Sequence, residues 1–251
     1  MPPVDVRDAL GVANPSVEQV VEKLQDPDWR VRYAACLWLM ARPNRAHGAP
    51  VLALARSLGD ESELVSRWAA YALGRIGPPA APAIPALLEA IKSKNLTLRE
   101  AAAQALANIG PPPDAEAELL AAVSLDDYRT GARKATVEAL ARVARSEEAV
   151  LALAGLLLDK DAQVAKAAES ALASLGRQAS VAVPGLIDCI EEPQGRARSA
   201  AARVLGAIGP DAGPAVPVLF GLLEDENEEV RKAAATAIRS IRRSRIAAAS
   251  P

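Results

Sequence analysis

A period of about 33 residues runs through this chain from end to end. Anchored on a leucine-type residue it reads Leu39, Leu73, Leu106, Leu140, Leu172, Leu205 and Ile238, with spacings of 34, 33, 34, 32, 33 and 33. The fullest copies are Leu98-Arg99-Glu100-Ala101-Ala102-Ala103 with Leu106, Ile109 and Gly110, and Ala197-Arg198-Ser199-Ala200-Ala201 with Leu205, Ile208 and Gly209. Val230-Arg231-Lys232-Ala233-Ala234 with Ile238 and Ile241 is a third. A unit of this size cannot bury its own apolar face, so a fixed period means stacked units that bury it on one another. Leu98, Ala101, Ala102, Ala105, Leu106 and Ile109 fall at helical spacing. Aromatics make up only 3% of the chain, which suits helices packed through small side chains and disfavours a sheet.

Each period divides into two helical segments. The first carries Pro-x-Leu, as in Pro50-Val51-Leu52, Pro85-Ala86-Leu87, Pro184-Gly185-Leu186 and Pro217-Val218-Leu219. Polar turns follow, among them Asp26-Pro27-Asp28, Gly59-Asp60-Glu61, Asp126-Asp127, Asp159-Lys160-Asp161 and Glu224-Asp225-Glu226. An aspartate there can cap the next helix and complement its positive end. Periods are separated by Gly77-Pro78-Pro79, Gly110-Pro111-Pro112 and Gly209-Pro210: glycine permits a left-handed turn, and proline prevents the helix from continuing.

This pattern resembles the HEAT-repeat family, including the bacterial branch similar to the phycobilisome lyases, over roughly Ser16 to Ile241. The resemblance implies an all-α, right-handed α-solenoid (a superhelix) of about seven HEAT-type helical hairpins. Residues 1–15 read as an N-terminal leader, 16–242 as one elongated solenoid domain and 243–251 as a C-terminal tail. The arginine column departs from the family pattern at two units, reading Arg32, Ser66, Arg99, Arg133, Ala165, Arg198 and Arg231. In this family such arginines pair with turn aspartates of neighbouring units, which is the stronger reading for Arg99, Arg133, Arg198 and Arg231 than phosphate binding.

The net charge of −2 and a pI near 5.7 give no global attraction to nucleic acid or acidic lipid. No run of 18 apolar residues occurs, so no membrane span is expected. The start, Met1-Pro2-Pro3-Val4-Asp5, lacks the pattern of a secretory signal. Cys36 and Cys189 lie too far apart to pair in a fold of local contacts, and two free buried thiols point to the reducing cytoplasm.

The resemblance also implies that the second helices line a concave surface. The residue after the arginine column and the one four further on should face it. Tyr33, Arg67 and Tyr71, joined by Trp29, then form a candidate partner-binding patch. Trp38 and Trp68 occupy columns held elsewhere by alanine or valine and read as core; Tyr128 is a further second-helix aromatic. Further along, Lys134, Lys166, Arg203 and Lys232 against Glu138 leave an excess of three positive charges, suited to an acidic protein or peptide. The competing reading is that these long cations simply solvate a polar face.

Catalytic constellations are missing from the sequence. His47 is the only histidine and reads as a surface loop residue. One histidine and two distant cysteines cannot assemble a zinc site of Cys or His ligands. The prolines after Gly77 and Gly110 remove the amides a phosphate-binding loop needs. No catalytic residue, metal or cofactor is expected. The leading expectation is a cytoplasmic, non-enzymatic scaffold that binds a protein or peptide on its concave surface. One rival, implied by resemblance, is a bilin lyase-like or chaperone role on tetrapyrrole proteins. Another is a HEAT-type nucleic-acid-binding or DNA glycosylase-like protein, against which the acidic pI counts.

Overall fold

The computed structural model describes residues 6–12, 14–123 and 130–248, and within them every regular element is a helix and no strand occurs. Tyr128 and the Asp126-Asp127 turn lie outside the described residues. A short helix, α1 (Val6–Leu10), precedes seven pairs. They are α2 (Val17–Lys23) with α3 (Trp29–Met40), α4 (Ala49–Ser57) with α5 (Glu63–Ile76), α6 (Ile84–Ala90) with α7 (Leu96–Ile109), and α8 (Glu116–Val123) with α9 (Thr130–Val143). Next come α10 (Glu147–Gly155) with α11 (Ala162–Leu175), α12 (Val183–Glu191) with α13 (Gly195–Ile208), and α14 (Val216–Gly221) with α15 (Glu228–Ala248). This is the all-α solenoid of seven hairpins that the period implies.

Contacts divide the chain into two compact units, Met1–Val143 and Ala144–Pro251. Where a leader was expected over 1–15, α1 packs on α3 and buries Leu10. Where a tail was expected from 243, α15 continues as helix to Ala248.

In the first unit α3, α5, α7 and α9 pack side by side as one layer, with α4 and α6 behind them; in the second, α11, α13 and α15 do the same. Leu39, Leu73, Leu106 and Leu140 are wholly buried in the first unit, and Leu172 and Leu205 in the second, with Ile238 6% exposed. The periodic column is therefore the core. The layer is tight: a Cβ built on Gly74 would stand 3.0 Å from the Ala105 Cα, and one on Gly206 would stand 3.0 Å from the Ala237 Cα. Only glycine lets α5 approach α7, and α13 approach α15, this closely.

Local chemistry sets the helix ends. Pro50, Pro85, Pro184 and Pro217 sit in the first turns of α4, α6, α12 and α14, where no helical partner for their missing N–H is lost. Asp28 and Asp161 cap α3 and α11 by accepting the amides of Arg30 and Gln163. Gly77 and Gly209 end α5 and α13 with φ of 72° and 78°, but with ψ of −145° and −135°. That is not the left-handed helical turn expected; it is a mirror-extended conformation open essentially to glycine alone.

Among the described residues, 195–224 passes a composition test for crossing a bilayer. It is two helices, α13 and α14, joined by a 3-10 turn at Gly209–Ala215, and α13 carries Arg196, Arg198 and Arg203. Residues Ala197, Ala201 and Leu205 of that stretch are buried against protein, which makes these core helices of a repeat.

Candidate functional site

The arginine column is structural where its partners are visible. Arg32 donates from Nη1 to the carbonyls of Asp26 and Pro27, the turn before its own helix. It also reaches forward with Nε and Nη2 to the Asp60 carboxylate of the next hairpin at 2.7 and 2.9 Å. Arg198 repeats this in the second unit, holding Glu192 and Pro193 carbonyls and the Asp225 carboxylate at 2.8 and 3.1 Å. Both side chains of each pair are nearly buried. The hydrogen bond from Arg198 holds the Asp225 carboxyl below its usual range. Arg231, in the last hairpin, keeps the carbonyl bonds, to Asp225 and Glu226. In Arg32 and Arg198 bidentate pairing plus carbonyl binding uses the planar fork of arginine in full, so these two side chains join hairpins and are not available to a ligand.

The aromatic candidates come together in the first unit. Trp29 and Tyr33 lie 6.5 Å apart between ring centroids, Tyr33 meets Trp68 edge-on at 5.9 Å, and Trp68 meets Tyr71 edge-on at 5.5 Å. All four are half-buried, so Tyr33 and Tyr71 are less open than fully projecting anchors. Trp68 corrects the sequence reading of it as core. Its column holds fully buried Ala34 and Ala101 in neighbouring helices, and an indole cannot fit the space of a methyl, so it spreads over the layer and links Tyr33 to Tyr71. Trp38, in contrast, is buried, with the Arg42 guanidinium 4.4 Å from its ring. The Arg30 guanidinium stands 5.1 Å from the Trp29 ring.

Arg67 lies in this patch, half-buried, and its Nε is buried without a hydrogen-bond partner. The next residue of its column, Glu100, lies against Gly131 of α9. Leaving such a donor unpaired costs about 1–3 kcal/mol. Arg67, Tyr71 and Arg75 follow at four-residue steps along α5 and so share one face. Arg75 is exposed; the sequence reading passed over it, although its spacing from Arg67 would have found it.

The cationic column is different from what the sequence suggested. Lys134 lies 3.6 Å from Glu138 in the first unit. In the second, Lys166 and Arg203 both bind Glu169, at 2.8 and 2.7 Å, and Lys232 binds Glu228 at 2.7 Å. Three carboxylates thus stand against four cations, and the expected excess of three positive charges shrinks to one. Glu169 and Glu228 escaped the sequence count because neither occupies a column position. Glu169 is 6% exposed; burial pushes its carboxyl up, but hydrogen bonds from Arg203 and Lys166 outweigh this and hold it below its usual range.

Other reactive groups are quiet. Cys36 and Cys189 are buried and free, and burial pushes the Cys36 thiol up to about 12. His47 is exposed. Among the described residues no His, Cys, Asp and Glu cluster could hold a metal ion. A cleft of about 620 Å³ lies where α1 meets the far end of α3, lined by Leu10, Leu37, Trp38, Arg42 and Arg45 among others.

Residues 17–107, 84–173 and 183–250 match the family model described as HEAT repeats. An engineered protein of known crystal structure is similar at 27% identity and a TM-score of 0.60, over 90% of this chain and 68% of its own. The complex of CpcE and CpcF of phycocyanin lyase from Nostoc sp. PCC7120 is similar at 25% identity and a TM-score of 0.57, over 91% of this chain and 95% of that one. The sequence matches none of the curated proteins.

Proposed function

Since the chain belongs to the HEAT-repeat family, we propose that it is a non-enzymatic interaction module whose first unit docks a protein or peptide segment on the face of α3 and α5. The observation that supports this most is the run Trp29, Tyr33, Trp68 and Tyr71 beside the unpartnered Nε of Arg67. Half-buried rings held by one another bind with little loss of rotamer freedom, and tryptophan, tyrosine and arginine dominate interface energies. The basic residues Lys134, Lys166, Arg203 and Lys232 contribute less, because each already has a carboxylate. Two buried free thiols support the cytoplasm as its place of work; cell fractionation that finds the chain in an oxidising compartment would overturn that part. The docking reading is tested by affinity capture with the intact chain and with Tyr33→Ala/Tyr71→Ala. A partner held by the first and lost by the second supports it. Partners retained equally by both contradict it.

A second reading, action on a tetrapyrrole-bearing protein, is supported by the likeness to the phycocyanin lyase complex. It requires that an added bilin change its visible absorbance on mixing, and an unchanged spectrum removes it.

A further inference from the structure

We infer that the segment docked on the first unit is an acidic one, with two carboxylates about four residues apart flanking an apolar side chain; this rests on the docking reading above. Arg67 and Arg75 stand eight residues apart on α5 with Tyr71 midway, so all three lie in one stripe. Among the described residues neither arginine has an ion-pair or hydrogen-bond partner, whereas Lys134, Lys166, Arg203 and Lys232 each have a carboxylate. The Glu100 carboxylate on the neighbouring α7 lies against Gly131 of α9. On α3 and α5 the only acidic residue is Glu63, against Arg30, Arg32, Arg67 and Arg75, of which Arg32 is paired with Asp60 and Arg30 with Asp28 at 3.6 Å, leaving Arg67 and Arg75. The surface is thus cationic and short of acceptors, inside a chain of net charge −2.

Geometry sets the spacing. Eight residues of helix rise about 12 Å, and an extended chain advances about 3.3 Å per residue. Carboxylates three to four residues apart in an extended segment therefore reach both guanidiniums, and the residue between them meets Tyr71 and Trp68. Arginine forks bind carboxylates in two-pronged fashion; on the half-buried Arg67 it is the terminal Nη atoms, not the buried Nε, that such a carboxylate would meet. A nucleic-acid strand would stack on the same rings, but it needs a continuous cationic track along its backbone. This face offers only Arg30, Arg67 and Arg75 beside the rings.

The test uses the intact chain and a phage-displayed library of random twelve-residue peptides, with Tyr33→Ala/Tyr71→Ala as counter-selection. Expected is enrichment of Asp or Glu pairs three to four positions apart. Synthetic copies of the enriched peptides should bind about tenfold more weakly to Arg67→Met and to Arg75→Met, with unchanged circular dichroism in both variants. Peptides enriched against the counter-selection but neutral or basic would overturn the acidic assignment and leave the docking reading standing. No enrichment over the double variant would overturn both. A labelled single-stranded oligonucleotide is run alongside: if it binds and loses affinity in the same variants, the occupant is nucleic acid and the proposal is wrong.

Discussion

The two units carry the same repeat, but α3 and α5 of the first use its polar positions differently from the helix layer of the second. In the second, cations on the helix layer are answered from within the chain: Glu169 takes both Lys166 and Arg203, and Glu228 takes Lys232. Arg177 and Asp211 add a further link between adjacent hairpins, at 3.0 Å. In the first, Lys134 is answered by Glu138, but α3 and α5 carry four rings in successive contact, and Arg67 and Arg75 beside them have no acceptor among the described residues. One face is internally satisfied and the other leaves donors open. A repeat scaffold can thus confine its binding capacity to one region without changing its backbone plan.

If this contrast belongs to the exposed face alone, the inter-hairpin arginines should behave alike in both units. Arg32→Ala and Arg198→Ala each leave a nearly buried aspartate without its partner, so each should cost about 3–5 kcal/mol in urea denaturation. Markedly unequal costs would mean that the units differ in their framework too. Next in size are Gly74→Ala and Gly206→Ala, each pressing a methyl onto the neighbouring helix and costing about 1–3 kcal/mol.

The sharpest stability contrast lies on the face itself. Arg203→Met strips the buried Glu169 of its main donor and should cost about 1–3 kcal/mol. Arg67→Met removes an unsatisfied buried donor, so stability should be unchanged or rise by up to about 1 kcal/mol. A large loss at Arg67 would show that it is structural.

Smallest is a pH effect confined to the second unit's pair. The Glu169 carboxyl is lower in the folded chain than when unfolded. Its stabilisation is therefore complete above the ordinary glutamate value of about 4.3, and is lost as pH falls through the lowered folded value. Glu169→Gln should be less stable than the parent at neutral pH and should lose less on acidification, in parallel thermal melts from about pH 6 to pH 3. Identical pH profiles would mean that Glu169 does not titrate as its hydrogen bonds imply.

Much of the framework is legible in the sequence because repetition reports it seven times over. The column from Leu39 to Ile238 marks the core, the prolines mark helix starts, and the arginine column marks the bonds between hairpins. What escapes is whatever departs from the period. Trp68 sits at an alanine position, and only its size, met by actual neighbours, brings it out beside Tyr33. Glu169 answers Arg203 from 34 residues away, at a position no column singles out. Helix α1 precedes the first repeat and has no copy to reveal it. Departures from a period are also where a repeat protein acquires individual function, so the least legible residues are the ones that distinguish the two faces.

The chain's three tryptophans permit a direct reading of where a partner sits. Trp29 and Trp68 belong to the proposed docking face, while Trp38 is buried. Titrating the display-selected peptide into the nitrogen-15-labelled chain and following the three indole N–H resonances puts docking on the first-unit face to the test. The account expects the signals of Trp29 and Trp68 to move and saturate together while that of Trp38 stays in place. Saturable binding that leaves Trp29 and Trp68 unmoved would contradict it.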